Sequence, residues 1–600
     1  MGNALYRPLG ALWNDRRGGV SIIGVFTLVS LVGIAALSVD LGRGYQTKIA
    51  YQGAADAAAL AAANAYTTNQ NDALMSATAK DIGLANGISA GNVTVTHLTS
   101  YSATVSHAVQ VVMTANVPLY FARIFSSAAS YPVSVTAVAS LSTTSTPPCI
   151  LALSSSSSGI TLSGGTRITA PTCAVISNTK IDVSGGSTIN AKSTTSTGAT
   201  SVSGGSSITA ATVTYGTTIS TQAGSSISGT TTQKAGTTPD PLASNSGLAA
   251  AFALLGTYTA PTVPSVPTGD DLTLGYYPTT MTFQGRTASL SGNVWAFPAG
   301  TYNIRNLNTQ SLTLNIAGPS TVTVSGGVTV GGGGALIIGD GSVSINAPVA
   351  LGGGTKMTVG AGRHYIGQLS VSGGSSATFG AGDLDVNGAV LVDGGGSSVT
   401  FGAGNYAIGN NGSGTAISLS GGSTLSFGNG TFSANGAIVT AGGSSITFGA
   451  TANHLINGNL SLNGSSTFGA GTYTINGYFT NNTGGTMTGS NVSFILAGSL
   501  NASGGTSINL SAPSSGALAD ILFATRSTAA TVLGGGTQDI FSGIIYAPGS
   551  DFKMSGGATA SGSCFTIIAS TVTLASGPAA ATACPSLSGS SSSATVGLIQ

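Results

Sequence analysis

The chain changes hydrophobic rhythm along its length, and each rhythm predicts a different element. Gly18–Val39 (GGVSIIGVFTLVSLVGIAALSV) is an apolar run without a charge. As a helix it would be about 33 Å long, enough to cross the ~30 Å hydrocarbon core of a bilayer. Tyr45–Tyr66 is dominated by alanine, so the membrane helix is expected to continue outward as one rod. Residues 67–145 predict a small α+β stalk domain. It would hold a short helix at Asp72–Leu84, then strand-period alternation at Asn92–His97, Ala108–Val117 and Tyr131–Leu141. Thr143–Pro148 reads as a boundary linker.

From Cys149 the chain repeats itself. Ser-Gly-Gly or a close variant recurs with Gly164, Gly185, Gly204 and Gly224, and phenylalanines recur at Phe379, Phe401, Phe427, Phe448 and Phe468. Several repeats continue as Gly-Ala-Gly-x-Tyr-x-Ile, as in Gly402–Ile408 and Gly469–Ile475. Each holds short alternating stretches between glycine turns, with Val, Ile, Leu or Phe expected inward and Ser, Thr or Asn outward. Phe427 is thus expected inside and Ser423 outside. One repeat cannot bury its own apolar face, so the repeats must stack. The fold class is mainly β: an N-terminal transmembrane helix and α+β stalk, then a parallel β-helix with an inner phenylalanine ladder.

The expected division is 1–66 for cytoplasmic tip, anchor and rod, 67–145 for the stalk, and 149–238 for a first solenoid block. Residues 239–280 hold Pro239, Pro241, Pro261, Pro264, Pro267 and Pro278, and are expected to be an insertion separating that block from a second one at 281–538. One helix is expected in the insertion, at Leu248–Leu255. Residues 539–586 read as a closing cap protecting the solenoid edge, and 587–600 as a loose tail.

Composition narrows the function classes. Glycine fills 90 positions and charged residues only 6%, yet 42% of the chain is hydrophobic, which is too apolar for a solvated coil. Net charge is +1, with no basic patch to compete for phosphates, so nucleic acid is not an expected partner. Arg7, Arg16 and Arg17 precede the apolar run, opposed only by Asp15. The positive-inside rule therefore keeps the N-terminus cytoplasmic and sends the bulk outward. A signal peptide is the alternative, but its apolar core is normally about 7–15 residues. Cys149, Cys173, Cys564 and Cys584 form two sequence-local pairs, which fits disulfides in an oxidising compartment, with buried free thiols as the alternative. Neither pair has zinc-site spacing.

Arg16-Arg-Gly-Gly, the apolar span, Val39-Asp-Leu-Gly-Arg43 and Gln52-Gly-Ala-Ala-Asp-Ala-Ala-Ala-Leu60 together resemble the TadG-like N-terminal region of Flp/Tad pilus-assembly proteins. The motif positions carried over are Asp40, Gln52, Ala55, Asp56 and Leu60. The resemblance implies a single-pass inner-membrane protein of the bacterial envelope with a pilin-like stalk. It also implies the lipid bilayer as partner, with other pilus-assembly proteins or a surface glycan beside it. Two features depart from the family. Prepilin-like relatives carry a Glu where this chain has Gly24, so peptidase processing is not implied. No DxSxS motif occurs, so the metal site of a von Willebrand A domain is not carried over.

Candidate chemistry is thin. Gly87-Ile-Ser89-Ala-Gly91 matches the GxSxG nucleophile pattern, with His97 and His107 as bases, but the motif needs a strand–turn–helix context. Asp383, Asp385 and Asn387 stand at positions 1, 3 and 5 of a calcium loop, with Gly388 at 6, yet position 12 is Gly394. The plainer reading is a strand with its acids solvated outward. A carbohydrate-active β-helix needs clustered carboxylates, and residues 281–538 offer only Asp340, Asp383, Asp385, Asp393 and Asp520. His364 and His454 are expected on the outer face. The expectation is an envelope protein in a structural or adhesive role, not an enzyme and without a cofactor. A carbohydrate-active or carbohydrate-binding β-helix is the alternative.

Overall fold

The computed structural model describes residues 18–599 except 70, 100, 102–106, 125–126, 143–145, 157, 235, 504–506, 535–537, 556–558, 562–563, 577 and 588–594. Arg7, Arg16 and Arg17, on which the expected orientation rests, lie outside the described residues. The chain forms two units, residues 1–145 with 592–600, and residues 146–591.

The first unit is built on one unbroken helix, α1 (Gly18–Asn69). Its first half exposes large apolar side chains on every side, among them Phe26, Leu28 and Leu31. From Ile22 to Tyr66 it is long and apolar enough to cross a membrane, which supports a membrane anchor. Its second half is different: Ala55, Ala58, Ala59, Ala62 and Ala63 form a buried stripe at helical spacing. Bare methyl groups let α2 (Asp72–Ala85) and a sheet approach closely. The Asn71 side chain caps α2 by accepting from the Ala73 and Leu74 amides. The sheet runs β1 (Val93–Leu98), β2 (Ala108–Pro118) and β3 (Ser130–Ser142), all antiparallel. Met75, Val93, Val111, Met113 and Val135 fill the space against the alanine stripe. Thr595–Leu598 adds a fourth strand beside β3, from Ala139↔Leu598 to Ser142↔Thr595. The expected loose tail is thus partly a strand, because the edge of β3 offers it unpaired backbone groups.

The second unit is a parallel β-solenoid of about 19 turns, or about 90 Å at ~4.8 Å per turn. A typical turn contains Thr424–Phe427, Phe432–Ala434 and Ala437–Thr440. Each strand pairs with its counterpart in the turns before and after. Phe379, Phe401, Phe427, Phe448 and Phe468 stack inside with centroid spacings of 5.3, 5.2, 6.1 and 5.8 Å. Such pairs add about 0.5–1.5 kcal/mol each beyond burial.

Ser423 is fully buried, not exposed as simple alternation predicts. The Gly421–Gly422 turn, with φ of 63° and 76°, rolls the next residue inward; only glycine holds such a pair cheaply. The Ser423 hydroxyl donates to the Val392 carbonyl at 2.9 Å. Ser187, Ser206 and Ser375 occupy the same place after their own turns, each accepting an amide from the preceding turn.

Winding order differs from chain order. Pro148–Ala152 pairs on one side with Arg167–Ser177 and on the other with Phe565–Ala575, through Ile150↔Ile567. Ile160–Ser163 joins the same strand through Val572↔Ile160. The two expected blocks are therefore one continuous stack, and residues 539–586 do not close it; they sit inside it. The reason is complementarity: the exposed edge of each block is the other block's missing neighbour. Cys149–Cys173 and Cys564–Cys584 are bonded on either side of this junction, with Cα separations of 5.7 and 4.8 Å.

The proline-rich segment does not separate the blocks. It runs back along the outside of the stack as a strap. Thr238 bonds Asn178, Asp240 accepts from the Tyr546 hydroxyl at 2.6 Å, and Thr259 bonds Ser433. Between them α3 (Ser246–Ala253) seats Leu248 and Phe252 among Ile495, Ile521 and Ile544. At Asp270 the chain enters the far end of the stack, where Thr280–Phe283 and Arg286–Ser291 form an antiparallel hairpin.

Candidate functional site

Asp40, Gln52 and Ala55 of α1 meet the sheet and its connecting loop at successive levels, beginning just past the apolar span. Asp40 is one residue beyond Val39 and is 1% exposed. Its carboxylate accepts from the backbone amides of Ala122, Phe121 and Tyr120 at 2.7, 3.0 and 3.2 Å. The Ala122 amide, helped by the other two and by nearby Arg43, holds this carboxyl below the usual carboxylate range. The segment between β2 and β3 is thereby pinned to the helix.

Neighbouring residues complete the contact. The Arg43 guanidinium lies 4.4 Å from the Tyr120 ring centroid. The Tyr131 hydroxyl donates to the Asp40 carbonyl at 3.4 Å, and a Cβ at position 44 would overlap that hydroxyl, so Gly44 is dictated by contact. Twelve residues on from Asp40, Gln52 donates to Asp56 at 2.9 Å and to the Thr136 carbonyl of β3 at 3.1 Å. Ala55 is fully buried in the stripe, and Leu60 is half-buried. The motif is thus a helix-to-sheet fastening, with a carboxylate at one end and an amide at the other.

Sequence reasoning missed the loop that Asp40 holds. Tyr120, Phe121 and Ile124 are 56%, 47% and 76% exposed. The signal was present: Leu119-Tyr-Phe-Ala-Arg-Ile124 is apolar and aromatic where strand alternation has stopped.

The other candidates do not assemble. Asp383 accepts from the Asn405 amide and side chain in the following turn, whereas Asp385 pairs with Arg363 of the preceding turn at 3.2 Å. Asn387 is exposed. The three calcium candidates are drawn apart by the ladder, and Asp385 is buried where a solvated acid was expected. Ser89 precedes β1 while His97 lies near its other end, paired with Asp72 at 3.2 Å and packed on Tyr66.

His364 and His454 were expected outside but are 1% exposed. Each Nε2 donates to a turn carbonyl, Gly360 or Gly449, at 2.9 Å. Tyr302, Tyr406 and Tyr473 send their hydroxyls to the same turn position, at Pro298, Gly402 and Gly469. Histidine here is a ladder residue in tyrosine's place. Burial pushes both imidazoles down, His454 to about 4.

One open groove of about 630 Å³ lies on the solenoid, with Ser155, Ser158, Asn178, Thr179, Lys180 and Thr197 in its wall.

In comparison with known proteins, residues 18–65 fit the family model of the putative TadE/G-like Flp pilus-assembly domain. No curated protein and no solved structure matches the chain. This domain, its apolar helix and the β-solenoid fit a pilus-assembly-related membrane protein. The match suggests involvement with pilus components.

Proposed function

We propose that this protein is a non-enzymatic component of the bacterial envelope, fixed in the inner membrane by α1 and carrying its solenoid on the extracytoplasmic side. The solenoid acts as a stiff, hydroxyl-coated structural or adhesive element. The observation that carries this reading is the joining of a TadE/G-like helix to a long repeat whose apolar residues point inward. Basic residues before the span and cysteine pairs after it support the orientation. Membrane fractionation followed by protease treatment of intact cells with a permeabilised outer layer tests it. The solenoid should be cleaved without lysis of the inner membrane; protection there would overturn the topology.

A glycan-binding reading is favoured by the open groove, whose serine and threonine hydroxyls suit sugar hydroxyls. Binding to a glycan array that is lost in Ser155→Ala and Ser158→Ala would support it over a purely structural role.

A further inference from the structure

Outside the anchor helix, the first unit carries a second apolar surface. The Asp40 carboxylate holds the amides of residues 120–122 within 3.2 Å. Asp40 directly follows the uncharged span, so this loop lies within about one helical turn, ~5 Å, of the level where the span ends. The loop shows solvent Tyr120, Phe121 and Ile124, and α1 adds Leu41 and Tyr45, 57% and 67% exposed. Arg43 and Arg123 are exposed beside them. Aromatic rings interleaved with arginine are the composition of a membrane–water interface, where rings sit at the headgroup level and guanidinium groups meet phosphates. The patch is continuous with the apolar surface of the span itself.

We propose that the loop at residues 119–124 is a second membrane contact, seated in the headgroup layer of the bilayer that α1 crosses, with Asp40 as the residue that sets its depth. The proposal rests on α1 being a membrane anchor. Two points of contact, helix and loop, restrict tilt and rotation of the stalk, which one helix alone leaves free.

The test uses full-length protein reconstituted in phosphatidylethanolamine–phosphatidylglycerol vesicles. An environment-sensitive fluorophore is placed singly at Phe121→Cys, Ile124→Cys, Leu31→Cys in the span, or Thr467→Cys on the exposed solenoid face. Nitroxide lipids with headgroup-level or mid-chain labels are the quenchers. Labels at 121 and 124 should emit as in an apolar medium and be quenched best by the headgroup-level nitroxide. The Leu31 label should answer to the mid-chain nitroxide, and the Thr467 label to neither. A quenched Leu31 label with water-like emission at 121 and 124 overturns the loop contact and leaves the anchor standing. Water-like emission at all four positions overturns both. Asp40→Ala should reduce quenching at 121 at least twofold while leaving Leu31 unchanged; equal quenching would remove Asp40 from the depth-setting role.

Discussion

His454 and Tyr473 lie face to face one turn apart, with ring centroids 3.8 Å apart and planes 6° from parallel. The imidazole is stacked inside an aromatic column that continues through Phe494 and Phe523. Protonation there would place a charge with no countercharge in reach among the described residues, and burial pushes the imidazole from 6.5 to about 4.

Stability should therefore depend on pH in a defined window. The unfolded chain takes up a proton as pH falls through 6.5, while the folded chain does so only near 4. The contribution is full above 6.5 and is lost progressively toward pH 4, up to about 3 kcal/mol for this one group. The urea midpoint should fall between pH 7.5 and pH 4.5, and His454→Phe should lessen that fall. An unchanged difference in the variant would show that His454 is not the titrating group.

Ser423 and Thr424 are adjacent, one fully buried and one exposed. Ser423→Asp puts a carboxylate against the Val392 carbonyl and should cost several kcal/mol, on the order of 3–5. Thr424→Asp should stay within about 0.5 kcal/mol. Phe427→Ala should cost about 3–5 kcal/mol through the cavity it opens in the ladder. Chemical denaturation of the three variants separates these cases, and equal sensitivity at 423 and 424 would refute the inward turn.

Asn481 is fully buried in the solenoid, and among the described residues neither its Oδ1 nor its Nδ2 has a partner. Its counterpart in the next turn is Ala502. Asn481→Leu should stabilise the protein by about 1–3 kcal/mol, since an apolar side chain that packs on its neighbours replaces an unsatisfied buried amide. A lower unfolding midpoint would mean the amide is satisfied in solution.

Removing the Asp40 carboxylate leaves three amides without an acceptor. In Asp40→Ala, hydrogen exchange at Tyr120, Phe121 and Ala122 should rise about tenfold or more, while β2 and β3 stay protected. Uniform loss of protection across the unit would mean the residue supports the fold generally, not the loop.

Periodicity made much of this legible. The unbroken apolar span, the alanine-rich rod and the 20-odd-residue recurrence of phenylalanines each follow from local rules and each has its element in the structure. What escaped was set by partners distant in sequence or by turn geometry. Ser423 and the ladder histidines look polar to a pattern reader. The glycine turn and the Val392 carbonyl draw the serine inside, and a carbonyl four or five residues back does the same for each histidine. The seam between Ile150 and Ile567 has no local signature, because an edge strand inside a stack reads like any other strand. The Asp40 site was half legible: the motif marked the carboxylate, and the loop amides it holds are some 80 residues away.

The seam has a temporal side. Ile150 finds its second neighbour only when Ile567 has been made, roughly 420 residues later, or about 20–80 s at 5–20 residues per second. For that interval the edge of the first-made turns is a template for any extended segment, the same edge of a neighbouring chain included. The last turn synthesised lies inside the finished rod and not at its end, so its arrival, not the appearance of the first turns, commits the rod to its final form.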